Sequence, residues 1–293
     1  PPRLIHVGSK ENSWAISICL SQVDIPCESV QEGYYTCLSH CWGRTRPFIT
    51  TKANLEKNRQ GIPWEALPKT FQDAVDITRS LGFQYVWIDS LCIVQDDADD
   101  WEKHCATMAT IYRNASLVLA ATASEDSQGG LFRRRSTKIQ PHEDHHNRSS
   151  MPLLSRAWAL QERLVSGAIV HFLDEEIIWE CLEGYQCECG WSAEPNYYAP
   201  PLSWEDMVQA YTRRNLTFRK DLLPALSAIA ERYEHSWDRW IKERPRDTYL
   251  AGLWRAELKL TMLWFTTESR KDADTDGTAP SWSWVSSPGM VVF

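Results

Sequence analysis

The sequence predicts an α/β fold with a central, mostly parallel sheet flanked by helices, then a β-hairpin and a more helical C-terminal half. Apolar runs of strand length occur at 34–38, 83–89 and 115–121. Between them lie two stretches whose apolar residues recur at helical spacing. Each strand-like run also ends abruptly in polar residues, as strands do where they open onto a loop.

The first run, around Tyr35-Thr36-Cys37-Leu38, stops at Ser39-His40-Cys41-Trp42-Gly43. A helix follows: Thr70-Phe71-Gln72-Asp73 resembles a capping box, Phe71, Ala74, Val75, Thr78 and Leu81 keep one face, and Gly82 closes it at C′. Phe-Gln-Tyr-Val-Trp-Ile-Asp at 83–89 is aromatic and β-branched with little alternation, which suits a strand covered on both faces. Acidic residues at 96–100 then favour a helix N-terminus, and Trp101, Cys105, Met108 and Tyr112 carry its face. Ala-Ser-Leu-Val-Leu-Ala-Ala at 115–121 completes a β–α–β–α–β run, which predicts parallel strands with right-handed crossovers.

The stretch 133–150 is polar and without apolar period, so it reads as an exposed loop. A helix at 156–164 and a hairpin of 168–173 with 176–181 around Asp174-Glu175 follow. Leu222, Leu223, Leu226, Ile229, Ala230 and Tyr233 mark a later helix with Pro224 in its first turn, and 280–285 is strand-like. The expected division is a core over 1–202 and a helical and strand extension over 203–293.

A chain of 293 residues, 43% hydrophobic, can bury a sizeable core. Its net charge of −8, with Lys and Arg scattered, leaves no footprint for a phosphate backbone, so nucleic acid is not expected as a partner. No apolar stretch is long enough to span a membrane and the start has no secretory h-region, which predicts a cytoplasmic protein. Nine irregularly spaced cysteines fit free thiols of a reducing compartment. Fifteen tryptophans need both burial and N–H partners, so packed seams or a polar-lined pocket are expected.

Ligands of parallel α/β sheets bind at strand carboxyl ends, where Ser39-His40-Cys41-Trp42 and Asp89-Ser90-Leu91-Cys92 both fall. Asp89, just past an apolar strand, reads as an acid, base or oxocarbenium stabiliser, or else as a turn cap. His40 reads as an acid–base group or as a histidine fixed in a tight loop, and Cys92 as a buried thiol rather than a nucleophile. Arg156 and Arg163 flank Gln161 and Glu162, where a guanidinium can grip an anion or lock the fold. His104 sits one turn beyond Trp101 and lines the same cleft if that helix end faces it. Cys181, Cys187 and Cys189, with His142, His145 and His146, lack the paired spacing of structural zinc sites, so no metal is expected. There is no Gly-x-Gly-x-x-Gly or Walker loop to cradle phosphate.

Three blocks together resemble the heterokaryon-incompatibility (HET) family in order and spacing: Tyr35-Thr36-Cys37-Leu38-Ser39-His40-Cys41-Trp42-Gly43, the pair Leu67-Pro68-Lys69-Thr70-Phe71-Gln72-Asp73-Ala74 and Trp87-Ile88-Asp89-Ser90-Leu91-Cys92-Ile93-Val94-Gln95-Asp96, and Arg156-Ala157-Trp158-Ala159-Leu160-Gln161-Glu162-Arg163. The resemblance implies a fungal intracellular protein that triggers growth arrest or death when non-self is sensed. It also implies a TIR-like or flavodoxin-like core, and some TIR domains hydrolyse NAD. The sequence departs from the family at Asp100-Trp101-Glu102-Lys103-His104, where histidine stands at the family's usual glutamate position.

On that basis the expected catalytic residues are His40, Asp89, His104 and Glu162. Ser39, Trp42, Gly43, Cys92, Gln95, Trp101, Arg156, Trp158 and Gln161 are expected to bind substrate. The reaction needs no cofactor, and NAD is a candidate substrate. Three functions remain open: an effector cleaving NAD or a related nucleotide, a HET-fold lyase, dehydratase or cyclase of secondary metabolism, and a non-catalytic module that self-associates. The expected partners are a small-molecule or nucleotide ligand and, for the third, a second copy of the chain.

Overall fold

The computed structural model describes residues 1–8, 16–20, 34–43, 48–132, 151–190, 192–193, 203–240 (backbone only for 235–240), 247–267, 279–287 and 289–293. The expected loop at 133–150 lies outside the described residues. The chain divides into two compact units, Pro1–Leu154 with Val165–Tyr198, and Ser155–Leu164 with Ala199–Phe293.

In chain order the first unit has β1 (Arg3–His6), β2 (Ser17–Leu20), β3 (Tyr35–Ser39), α1 (Leu55–Gln60), α2 (Lys69–Ser80), β4 (Tyr85–Trp87), α3 (Asp89–Cys92), α4 (Ala98–Arg113) and β5 (Leu117–Ala120). It continues with β6 (Ala168–Phe172), β7 (Ile177–Cys181), β8 (Gly184–Cys187) and β9 (Ser192–Ala193). These strands form one sheet in the order β2-β1-β4-β3-β5-β6-β7-β8-β9. Its centre, β4-β3-β5-β6, is parallel. The edges are antiparallel: β1 and β2 on one side, β7 to β9 on the other. Every residue of β3, β4 and β5 is buried, as strands covered on both faces are. From β3 the chain passes outward to β4, then returns beyond β3 to β5 and on to β6. The strand order therefore reverses between β3 and β5, and the loops that follow those two strands flank the crevice such sheets use for ligands.

The helices follow their sequence signals with one informative exception. Asp97 caps α4 by accepting the Asp99 N–H, and Gly82 takes φ +84° just past α2, where a side chain would be strained. The apparent capping box of α2, however, does not cap it. The helix starts after Pro68, which offers no side-chain cap, and Thr70 and Asp73 lie inside it, both buried. Thr70 Oγ1 accepts the Gly130 N–H at 3.0 Å and Asp73 Oδ2 that of Leu131 at 2.8 Å. The same side chains that read as a local cap instead anchor the loop after β5.

The second unit contains α5 (Ala157–Val165), α6 (Trp204–Thr212), α7 (Pro224–Trp240), α8 (Leu258–Thr261) and two short antiparallel pairs, β10 (Tyr249–Leu250) with β11 (Leu253–Trp254) and β12 (Phe265–Thr266) with β13 (Val291–Val292). Trp204, Tyr211, Trp254 and Trp284 dominate its core. Both the Trp204 and Trp284 indoles donate to the Gly252 carbonyl at 2.8 Å, so these two tryptophans find a shared buried acceptor. Two details differ from expectation. Leu222 and Leu223 precede α7, because Pro224 lacks an N–H and fits the first helical position rather than the interior. The strand expected at 280–285 is a turn leading into a 3₁₀ turn at Trp284–Ser286, started by Ser283 Oγ accepting the Val285 N–H at 3.1 Å. No helix among the described residues is long and apolar enough to cross a membrane.

Candidate active site

Where β3 and β4 end, their loops converge on Asp89. Ile88 leaves the strand in an extended conformation and Asp89 begins the single turn of α3. Its carboxylate is fixed from two sides: Trp42 Nε1–H donates to Oδ2 at 2.9 Å, and the Ser90 N–H donates to Oδ1 at 2.7 Å. His40 Nδ1 lies 3.8 Å from Oδ1. The His40 ring is 1% exposed and packs edge-on to Phe71 of α2, with ring centroids 5.0 Å apart, whereas the Asp89 side chain keeps 19% of its surface open. Of this pair, the carboxylate is the group a ligand can touch, and the imidazole stands behind it.

The surrounding residues hold the loops together. Ser39 is buried, and its carbonyl accepts the Ala121 N–H at 2.9 Å across to the end of β5. Gly43 has φ +78°, and a Cβ there would lie 2.3 Å from the Asp126 Cβ, so only glycine lets the loop after β3 meet the loop after β5. Gln95 Nε2 donates to the Asp89 and Ile93 carbonyls, both at 3.1 Å. Thr50, which no sequence motif marks, takes the Gln95 N–H on its carbonyl and gives its own N–H to Ser90. Cys92 is wholly buried, and burial pushes its thiol up to about 12, the behaviour of an inert core cysteine.

His104 belongs to a second polar cluster, behind α3. Its Nδ1 lies 2.8 Å from the Asp100 carbonyl and its Nε2 3.5 Å from Arg3 Nη2. Arg3 pairs with Asp100, which also accepts the Val94 N–H at 2.8 Å, and Arg3 Nε donates to the Cys92 carbonyl. Burial, the first cause, holds the His104 imidazole below its usual value. Burial alone would raise Asp100, but Arg3 and the Val94 N–H bring it below the usual carboxylate range. Trp101 lies half-buried in the first turn of α4.

The remaining expected residues lie in the second unit. There Ala157 N–H beside Arg156 donates to the Asn215 carbonyl at 2.9 Å, Trp158 Nε1–H reaches Asp221 Oδ2 at 3.4 Å, and Gln161 Oε1 accepts the Ala228 N–H at 3.4 Å. Gln161 and Glu162 are buried.

One polar chain escaped sequence reasoning. At the end of β5, Thr122 Oγ1 lies 2.9 Å from His171 Nδ1, and His171 Nε2 lies 2.8 Å from Glu180 Oε2. Tyr185 donates to Glu180 Oε1 at 2.8 Å. These residues come from four separate strands or strand ends, and their only sequence signal is a histidine inside an apolar strand.

With this geometry in view, comparison with known families is informative. Residues 35–150 match the model of the heterokaryon incompatibility protein (HET) family. This stretch is similar to a HET domain. It takes in β3 to β5, and so includes His40, Trp42, Asp89 and His104. The Arg156–Arg163 block falls outside the matched residues. Comparison with curated proteins and with solved structures gives no match.

Proposed function

We propose that this heterokaryon-incompatibility-type protein is a cell-death effector that hydrolyses the N-glycosidic bond of NAD or a related nucleotide. The observation that carries the reading is the exposed edge of Asp89, clamped by Trp42 and Ser90 and backed by His40. In such a reaction the bond from C1′ to the ring nitrogen breaks, the base leaves with the bonding pair, and positive charge develops on the sugar. A carboxylate already oriented by two donors stabilises that charge without reorganising. Water then adds at C1′ and gives up a proton, for which Asp89 is the accessible acceptor. His40, being enclosed, acts as a positioning residue. The half-buried Trp42 offers its ring to stack on the base while its N–H stays on Asp89.

The test is release of nicotinamide from NAD by the purified chain, followed chromatographically. Turnover by the native protein that falls at least about a hundredfold in Asp89→Asn supports the reading. Undiminished turnover in that variant removes Asp89 from the chemistry. Absence of turnover with NAD and with other N-glycosidic nucleotides overturns the activity itself.

A further inference from the structure

We propose that Glu176, Cys187 and Cys189 form a binding site for a soft divalent metal ion of the zinc type, which clasps the antiparallel edge of the sheet. One oxygen of Glu176 and the two sulfurs all lie within 4.8 Å of one another. A tetrahedral ion with Zn–S bonds of about 2.3 Å keeps its sulfurs about 3.8 Å apart, so the three atoms already stand close to ligand spacing. Two thiolates and a carboxylate are a donor set that favours zinc over magnesium or calcium.

The backbone prepares the site as well. The Cys189 N–H donates to Cys187 Sγ at 3.2 Å, a bond that stabilises a sulfur carrying negative charge. Gly190, at φ +86°, turns the chain so that its N–H returns to the Cys187 carbonyl at 3.0 Å, which holds the Cys-x-Cys turn closed. Glu176 is fixed by the tight turn between β6 and β7, where the Leu173 N–H donates to its carbonyl at 3.0 Å. The Cys187 thiol donates to Glu176 Oε2, so ion entry replaces a proton already shared between two ligands. The Cys189 thiol loses its proton too, and both protons go to solvent. Glu176 and Cys187 are buried while Cys189 is half-buried, which leaves a way in and a fourth coordination position for water.

The edge has a use for such a clasp. Among the described residues, its own apolar cluster has Leu173, Ile178, Tyr185 and Cys187 as buried members, a small core for a hairpin at the end of a sheet. A metal joining the β6–β7 turn to the end of β8 supplies cross-linking that this cluster lacks. The cysteine spacing conceals the site because Cys181 is not part of it. Cys181 pairs with Gly184 at the far end of the hairpin, and the third ligand is a glutamate eleven residues before Cys187.

The experiment uses the full chain, stripped with chelator under reducing conditions and titrated with Co²⁺ alone. The expected result is a thiolate-to-cobalt absorption band that saturates at one equivalent and disappears when Zn²⁺ is added. Cys187→Ser and Cys189→Ser should each weaken the band and cut affinity more than about tenfold, and Glu176→Gln should cut affinity while keeping the band. Cys105→Ser, on α4, should change neither. If a cysteine variant does not fold, alkylation mapping of the native chain decides: Zn²⁺ must protect Cys187 and Cys189 from iodoacetamide. A natively folded chain with no band at saturating Co²⁺, a band unchanged in Cys187→Ser, or equal labelling with and without Zn²⁺ overturns the proposal. So does a Cys187–Cys189 disulfide that persists under the reductant.

Discussion

The indole N–H of Trp42 reaches Asp89 Oδ2 at 2.9 Å, so a residue on the loop after β3 orients the carboxylate that opens α3. A neutral donor to a carboxylate is worth about 1.5–3 kcal/mol. Trp42→Phe keeps an aromatic face but removes that donor. It should lower kcat/KM for nicotinamide release roughly 10- to 100-fold while circular dichroism stays native. An unaltered kcat/KM would mean that the Ser90 N–H alone holds Asp89 in place.

Gly43 joins the two loops that border the crevice. Alanine there must adopt φ +78° and place its Cβ 2.3 Å from the Asp126 Cβ. Left-handed backbone and a clash with a neighbouring main chain each cost on the order of 1–3 kcal/mol. Gly43→Ala should therefore lower the denaturant midpoint by an amount equivalent to about 2–5 kcal/mol. Gly61→Ala, where nothing lies within 4 Å of the added carbon, should not.

The Arg3–Asp100–His104 cluster makes stability depend on pH in two windows. The folded His104 imidazole titrates below its usual 6.5, so the unfolded chain takes up a proton more readily than the folded one. Its contribution is fully present above about 6.5 and is lost as pH falls from there towards the folded value. His6, also lowered by burial and by Arg79, adds to the same slope. Asp100 titrates below its usual 3.8 when folded, so its contribution holds above that value and disappears beneath it. Urea midpoints measured between about pH 5 and pH 8 should rise with pH, and His104→Asn should flatten part of that rise. Arg3→Ala leaves a part-buried carboxylate without its cation and should cost about 1–3 kcal/mol at neutral pH.

How far the sequence reveals this molecule depends on whether a signal is local. The α2–β4–α4–β5 run is legible because period and punctuation lie within each segment: Gly82 ends α2 and Asp97 starts α4 as their residue types require. The edge strands β1 and β2 have no comparable mark, being four residues each and paired only through the sheet. At the site, the convergence of Trp42 and Asp89 follows from strand ends lying side by side. The exposure that separates Asp89 from His40 depends on Phe71, contributed by α2, and is invisible along the chain. Thr70 and Asp73 show the same limit from the other side, since their cap-like spacing serves a loop some sixty residues away.

Cys92 supplies a chemical check on the loop it occupies. It is fully enclosed, and its thiol is pushed up to about 12, so almost none is thiolate at neutral pH. Mass-spectrometric mapping after iodoacetamide treatment should find Cys92 unlabelled in the native chain and labelled in denaturant. Cys105, half-buried on α4, should react before Cys92. Rapid native labelling of Cys92 would require α3 to open, and with it the clamp on Asp89.

In the second unit, Gly252 is the acceptor on which two tryptophans depend. Its φ is +94°, its carbonyl takes N–H bonds from Trp204 and Trp284 at 2.8 Å, and an added Cβ would come within 2.7 Å of the Trp284 ring. Gly252→Ala thus strains the backbone and pushes an indole away from the acceptor it shares. The Trp284 ring is 1% exposed and packed in the unit's core. The substitution should cost about 2–5 kcal/mol and redden the tryptophan emission as the indoles lose their enclosure. Trp284→Phe removes one donor and leaves room at the glycine. Introducing Gly252→Ala into that variant should therefore cost less than it does in the native chain. A double-mutant cycle read by urea denaturation measures the difference, and additive costs would show that the strain resides in the backbone at 252 and not in the contact with Trp284.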